Sequence, residues 1–198
     1  MIKIIKHLVI ILLITLIHSK SFGVSNEILK VGKENAKITI KVFSSLTCPH
    51  CANFHINIFE TLKKDYIDNG QVKFEHHSFP LDMAALNAEK IVRCTGDVNK
   101  RFQLLSDIYK KQKQWAVGSD INKINESLMK IGIKYKLSKE NMLKCLEDEN
   151  LQDIILNERI SAQKKYKISS TPTIYINKKK YNGSHKYKDF KKEIEKKL

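Results

Sequence analysis

Apolar residues follow three different periods along this chain, and each period predicts a different kind of element. Leu8 to Ile17 is a nearly unbroken apolar run of about ten residues, preceded by Lys3 and Lys6. Ala36 to Ser44 (Ala-Lys-Ile-Thr-Ile-Lys-Val-Phe-Ser) is β-branched and partly alternating, which predicts a strand. Phe54, Ile58, Phe59, Leu62 and Tyr66 then recur at helical spacing, and Asp68-Asn69-Gly70 stops that helix. Gln71 to Phe79 predicts a second strand. Strand, helix and strand joined by short links make a right-handed βαβ unit, in which the carboxyl end of the first strand is where open α/β sheets place their sites.

From Asp82 to about Tyr166 the period becomes wholly helical. Asp82 is suited to cap a helix through Ala84, Ala85, Ala88, Ile91 and Val92, and Ser119 and Ser138 are suited to cap later ones. Four or five helices fit this stretch, including Arg101 to Trp115 and Leu151 to Lys165. Strand character returns at Thr173 to Asn177 and near Lys180 to Tyr181. Asn182-Gly183 is a turn signal, and a final helix starts at about Tyr187. The expected domains are residues 24–81, 82–166 and 167–198, preceded by a leader at 1–23. No internal repeat or low-complexity linker is visible.

Composition refines this layout. The chain has 198 residues, 42% of them hydrophobic, enough for one substantial core. The run from Leu8 falls well short of the roughly 20 residues that span a bilayer, and Ser21-Phe22-Gly23 offers the small residues a signal peptidase reads. The expectation is therefore a cleaved signal peptide, an exported protein and no transmembrane anchor. The even count of four cysteines suits an oxidising compartment. Removing Lys3, Lys6 and Lys20 with the leader takes the formal charge from +15 to +12. Export argues against nucleic acid as the partner of that charge. The lysines, dense in Lys178-Lys179-Lys180 and from Lys186 to Lys197, read as a solvated basic surface. With seven glycines and no phosphate-cradling loop, nucleotide binding is not indicated.

The chemistry concentrates at Cys48-Pro49-His50-Cys51, where the first strand gives way to the helix. A first helical turn leaves its N–H groups unpaired and carries partial positive charge, so a thiolate at Cys48 is stabilised there and Cys48 becomes the nucleophile. Pro49 fits the first helical position, where a missing N–H costs nothing. His50 adds a donor, and a charge when protonated, near the same sulfur. A zinc site would use the same spacing but usually wants a second such pair, and the other cysteines stand alone at 94 and 145. No metal or cofactor is expected, and His55, His76 and His77 read as surface or packing residues. Ser170-Thr171-Pro172-Thr173 precedes an apolar strand; alone it reads as a strand-start proline.

Taken with the CxxC pair, these residues resemble a DsbA-type thiol:disulfide oxidoreductase of the thioredoxin superfamily, and the likeness runs from about Gly32 to the end. The resemblance implies an α/β thioredoxin fold with a helical domain inserted between its two halves. It implies a cis proline at Pro172 lying against the CxxC, with the adjoining backbone pairing an extended substrate segment and Thr171 facing the sulfurs. Pro49-His50 is similar to the dipeptide of strongly oxidising members. Threonine before the proline is similar to isomerase-type members. Many thioredoxin-like proteins carry a buried acid six residues before the first cysteine, where this chain has Val42; proton transfer at Cys51 then falls to water or another group, with Glu75, Lys41 and His55 as candidates. Cys94 and Cys145 are either inert buried thiols or, by resemblance to some bacterial members, a structural disulfide. Closing about 50 residues would contribute roughly 4 kcal/mol on the loop-entropy estimate.

The expected function is a periplasmic oxidoreductase that introduces disulfides into exported thiol proteins, re-oxidised by a membrane partner of the DsbB kind. The first alternative is an isomerase or reductase of the same fold, disfavoured because Val24 to Gly32 leaves no room for the N-terminal dimerisation domain usual in family isomerases. The second is a non-catalytic exported protein that holds a metal or a partner through the same cysteines.

Overall fold

The computed structural model describes residues 27–198. The leader expected at 1–23 lies outside them. Strand β1 (Leu29–Val31) is followed by β2 (Ile38–Ser44), helix α1 beginning at Pro49–Phe54, and β3 (Val72–Ser78). Helix α1 continues without a break through a π-helical segment (His55–Phe59), one α-turn (Glu60–Leu62) and a second π-helical segment (Lys63–Ile67). Six helices come next: α2 (Met83–Arg93), α3 (Val98–Lys110), α4 (Gln112–Trp115), α5 (Ile121–Ile133), α6 (Lys139–Glu147) and α7 (Glu149–Tyr166). The chain closes with β4 (Thr173–Ile176), β5 (Lys179–Lys180) and α8 (Tyr187–Glu195).

The strands form one sheet in the order β1-β3-β2-β4-β5. Strands β2 and β3 are parallel, with Val42 opposite His76; β4 runs antiparallel to β2, with Val42 opposite Ile174. Side chains alternate between the two faces. Ile38, Ile40 and Val42 all point into the main core, whereas Phe43 belongs to a second cluster with Phe79, Ala162 and Ile168 on the far face, beneath α7. In the main core the Phe59 ring sits 4.5 Å from that of Phe74 and 5.8 Å from that of Phe102, tying α1 to β3 and α3. This is the thioredoxin fold, with α2 to α7 between its β3 and β4.

Local rules account for most boundaries. Asp82 accepts a hydrogen bond from the Ala85 N–H and caps α2, and Ser138 caps α6 through the Asn141 N–H. Each such cap contributes about 1 kcal/mol. The expected cap at Ser119 moves one residue on, because the Asp120 carboxylate reaches the N–H groups of both Asn122 and Lys123. The helix expected from Arg101 to Trp115 starts earlier, where Asp97 caps Asn99 and Lys100, and breaks at Lys111 into α3 and α4. Helix α7 likewise starts before Leu151, capped by Asp148. The hairpin between β4 and β5 turns at Asn177, which takes the left-handed conformation (φ 54°); Asn182-Gly183 lies beyond it. Gly32 ends β1 at φ 100°, where a Cβ would run into the Val72 carbonyl.

Candidate active site

Cys48 is the N-cap of α1, in extended conformation, with Pro49 at the first helical position. Its sulfur is therefore held beside the open N-terminal turn. Burial sets the two sulfurs apart: Cys48 is 7% exposed, at the surface end of the turn, whereas Cys51 is 1% exposed beneath it. Both are free thiols. The Thr171–Pro172 peptide bond is cis, and the Thr171 carbonyl accepts a hydrogen bond from Cys48 Sγ at 3.4 Å. The Thr171 hydroxyl is buried with no conventional hydrogen-bond partner, and it faces both sulfurs.

These neighbours divide the two thiols chemically. A hydrogen bond from the Cys51 thiol, aided by the Thr171 hydroxyl and by the N–H groups of Cys51 and His50, outweighs burial and brings Cys48 down to about 5. Cys51 moves the other way: burial first, then the adjacent Cys48, push its thiol far above the ordinary range. Near neutral pH the pair thus holds one thiolate and one thiol. The N–H of His50 supplies its contact with Cys48, and the imidazole is exposed, with His185 near it.

The helical block fastens this turn. Gln112 of α4 donates from Nε2 to the carbonyls of Leu46 (2.8 Å) and Cys48 (3.1 Å), and Thr47 donates to the Asp82 carboxylate at 2.8 Å. Gln112 gives no sequence signal, because a glutamine in a helical stretch reads as solvent-facing. Cys94 and Cys145 are joined by a disulfide linking the end of α2 to α6.

The groups named as candidates to serve Cys51 fall elsewhere. Lys41 and Glu75 face each other on the sheet face opposite to Val42, where Glu75 pairs with His77, Lys41 and Lys73 and is held down to about 2, chiefly by His77. His55 is buried, hydrogen-bonded to Ser106 at 2.8 Å, and burial lowers it to about 3, so it stays neutral. His76 is likewise a buried packing residue, bound to the buried Glu89 at 2.8 Å. Among the described residues, no group of three or more His, Cys, Asp or Glu side chains is placed to hold a metal ion.

The model of the family described as Thioredoxin matches residues 25–196. The chain belongs to the thioredoxin family. Within the superfamily it is of DsbA type. The crystal structure of alpha-DsbA1 from Wolbachia pipientis superposes with a TM-score of 0.80 at 27% identity, covering 86% of this chain and 90% of that one. A Rickettsia bellii relative, provisionally named a protein-disulfide oxidoreductase, is 32% identical over 79% of this chain and 60% of its own length. Disulfide bond formation protein D of Bacillus subtilis is 29% identical over 85% of this chain and 76% of its own length. The chain thus spans less than two thirds of the Rickettsia relative.

Proposed function

We propose that this chain is an exported protein-disulfide oxidoreductase that introduces disulfides into thiol-bearing proteins. The observation that carries the reading is the opposed shift of the two sulfurs, Cys48 down to about 5 and Cys51 far up. In the disulfide form, a substrate thiolate attacks Cys48 Sγ; a bond forms between substrate and Cys48, the Cys48–Cys51 bond breaks, and its electron pair leaves on Cys51, which takes up a proton. A second substrate thiolate then attacks the substrate sulfur of the mixed disulfide. Cys48 departs as a thiolate that the helix turn already stabilises, the substrate is oxidised by two electrons, and the enzyme is left as a dithiol. The stable Cys48 thiolate favours the dithiol over the disulfide and hence favours oxidation of substrate.

Thr171 and Pro172 serve as the docking edge for an extended substrate, and His50 lends its N–H to the leaving sulfur. A groove of about 470 Å³ beside Thr47, bordered by Met83, Ala116 and Ile121, offers apolar surface for an unfolded chain next to Cys48. The structural role falls to the Cys94–Cys145 disulfide. Re-oxidation requires a membrane quinone-linked partner of the DsbB kind, and the periplasm is the compartment that fits. Among the described residues no helix is long and apolar enough to cross a membrane.

The test is oxidation of a reduced, unfolded two-thiol protein by the disulfide form, followed by the substrate's thiol count. The wild type should oxidise it stoichiometrically, and Cys48→Ala should abolish the reaction. Undiminished activity in Cys48→Ala would favour the non-catalytic reading. Rearrangement of a scrambled substrate by the dithiol form, without net oxidation, would favour an isomerase.

A further inference from the structure

Gln112 opens α4 and is buried, 7% exposed. Its amide nitrogen carries two hydrogens, and the active-site loop supplies two acceptors for them, the carbonyls of Leu46 at 2.8 Å and Cys48 at 3.1 Å. One side chain thus grips the backbone on both sides of Thr47, the residue before the reactive sulfur. The Cys48 carbonyl also accepts from the N–H groups of Cys51 and Ala52, each at 3.1 Å. Gln112 is therefore a third donor fixing the plane of the peptide that opens α1. The donor is itself held in place. Across the break at Lys111, the buried Trp115 donates its indole N–H to the Ile108 carbonyl at 2.8 Å and seats α4 against α3.

The reaction gives this grip unequal value in the two redox forms. In the disulfide form the Cys48–Cys51 bond itself closes the turn. In the dithiol form the turn keeps its shape by hydrogen bonds alone, and the Cys48 thiolate depends on that shape. The N–H groups of His50 and Cys51, the Cys51 thiol and the Thr171 hydroxyl must all stay aimed at one sulfur. A donor that fixes the Cys48 peptide therefore favours the dithiol over the disulfide. The titratable residues around Cys48 are Cys51 and His50 on α1 and Tyr109 on α3, with His185 beyond His50. The Gln112 carboxamide is neutral and adds no charge to that set, so it acts through position.

We propose that Gln112 is a positioning residue of the redox site, whose two hydrogen bonds hold the loop at 46–48 in the shape the Cys48 thiolate needs and so make the pair more oxidising. It acts through the backbone rather than on the sulfur. The inference rests on the oxidoreductase reading and adds to it that the inserted helical block, as well as the helix turn, sets the strength of the oxidant.

The experiment replaces Gln112 by methionine, which keeps length and bulk and removes both donors. Three readouts are taken beside the wild type: the thiolate-band titration of Cys48, the equilibrium potential in glutathione buffers, and urea unfolding of both redox forms. In Gln112→Met, Cys48 should titrate higher, its thiolate weakened roughly three- to tenfold, the range of one net hydrogen bond. A tenfold weakening corresponds to a potential lower by about 30 mV. The unfolding midpoint should drop further in the dithiol form than in the disulfide form. An equal loss of stability in both forms, with titration and potential unmoved, marks a purely structural glutamine and would overturn the proposal, as would a more oxidising variant. Should Gln112→Met fail to fold, hydrogen exchange at the wild-type Gln112 side-chain amide decides. Protection of both hydrogens in the dithiol form supports the clamp, and exchange as fast as that of an exposed glutamine overturns it. Failure of the wild type to form a Cys48–Cys51 disulfide at all would overturn the function itself, a result distinct from the others.

Discussion

Acidifying the reduced protein should remove stability that ionised Cys48 supplies. The folded sulfur titrates at about 5 against a starting value of 9.0. Because the folded value is depressed, the contribution is complete above the unfolded thiol's pKa and is lost as pH falls through about 5. At pH 7 the folded sulfur favours thiolate about a hundredfold while the unfolded one favours thiol about a hundredfold, which amounts to at most about 3 kcal/mol in favour of the folded dithiol. Part of the Cys48 environment is open to water, and screening brings this to about 1–2 kcal/mol. The disulfide form has no such proton. The difference in stability between the dithiol and disulfide forms should therefore change by that amount between pH 7 and pH 4, always against the dithiol. Urea unfolding of both forms at each pH measures it, and the ultraviolet thiolate band of the dithiol gives the Cys48 titration directly. A difference that is flat over this range, or a thiolate band that titrates near the ordinary thiol value, would refute the electrostatic argument for Cys48.

Other consequences concern the scaffold. Replacing Cys94 and Cys145 together by alanine opens a loop spanning 51 positions and should lower stability by up to about 4 kcal/mol in urea unfolding, leaving the Cys48 titration in place. Glu89→Gln removes the carboxylate hydrogen-bonded to the buried His76 and should cost about 3–5 kcal/mol, read as a lower unfolding midpoint at pH 7. His55 titrates at about 3 when folded, so the unfolded chain binds its proton first; stability should fall as pH drops below about 6.5 toward 3, and His55→Leu should flatten that part of the acid limb.

How far the chain announces this architecture depends on how local each signal is. The β2 strand, the Cys48 turn and the cap at Asp82 were legible because one short segment carries both the pattern and its physical reason. Strand β1 was not, since Leu29-Lys30-Val31 is too short to show a period and is a strand only by pairing with Phe74 to His76. The break at Lys111 was equally hidden, because the helical spacing runs on while the chain turns to bring Gln112 over the active-site carbonyls. His76 reads as an ordinary strand residue. Its importance comes from what lies opposite it, the buried Glu89 on the next helix, and a strand pattern says nothing of that partner.

The most direct test of the central claim is the equilibrium reduction potential of the Cys48–Cys51 pair in glutathione buffers, with Cys94 and Cys145 intact. A stabilised Cys48 thiolate predicts an oxidising value, near about −120 mV. A value near about −270 mV, in the range of a thioredoxin-type reductant, would contradict the oxidase account.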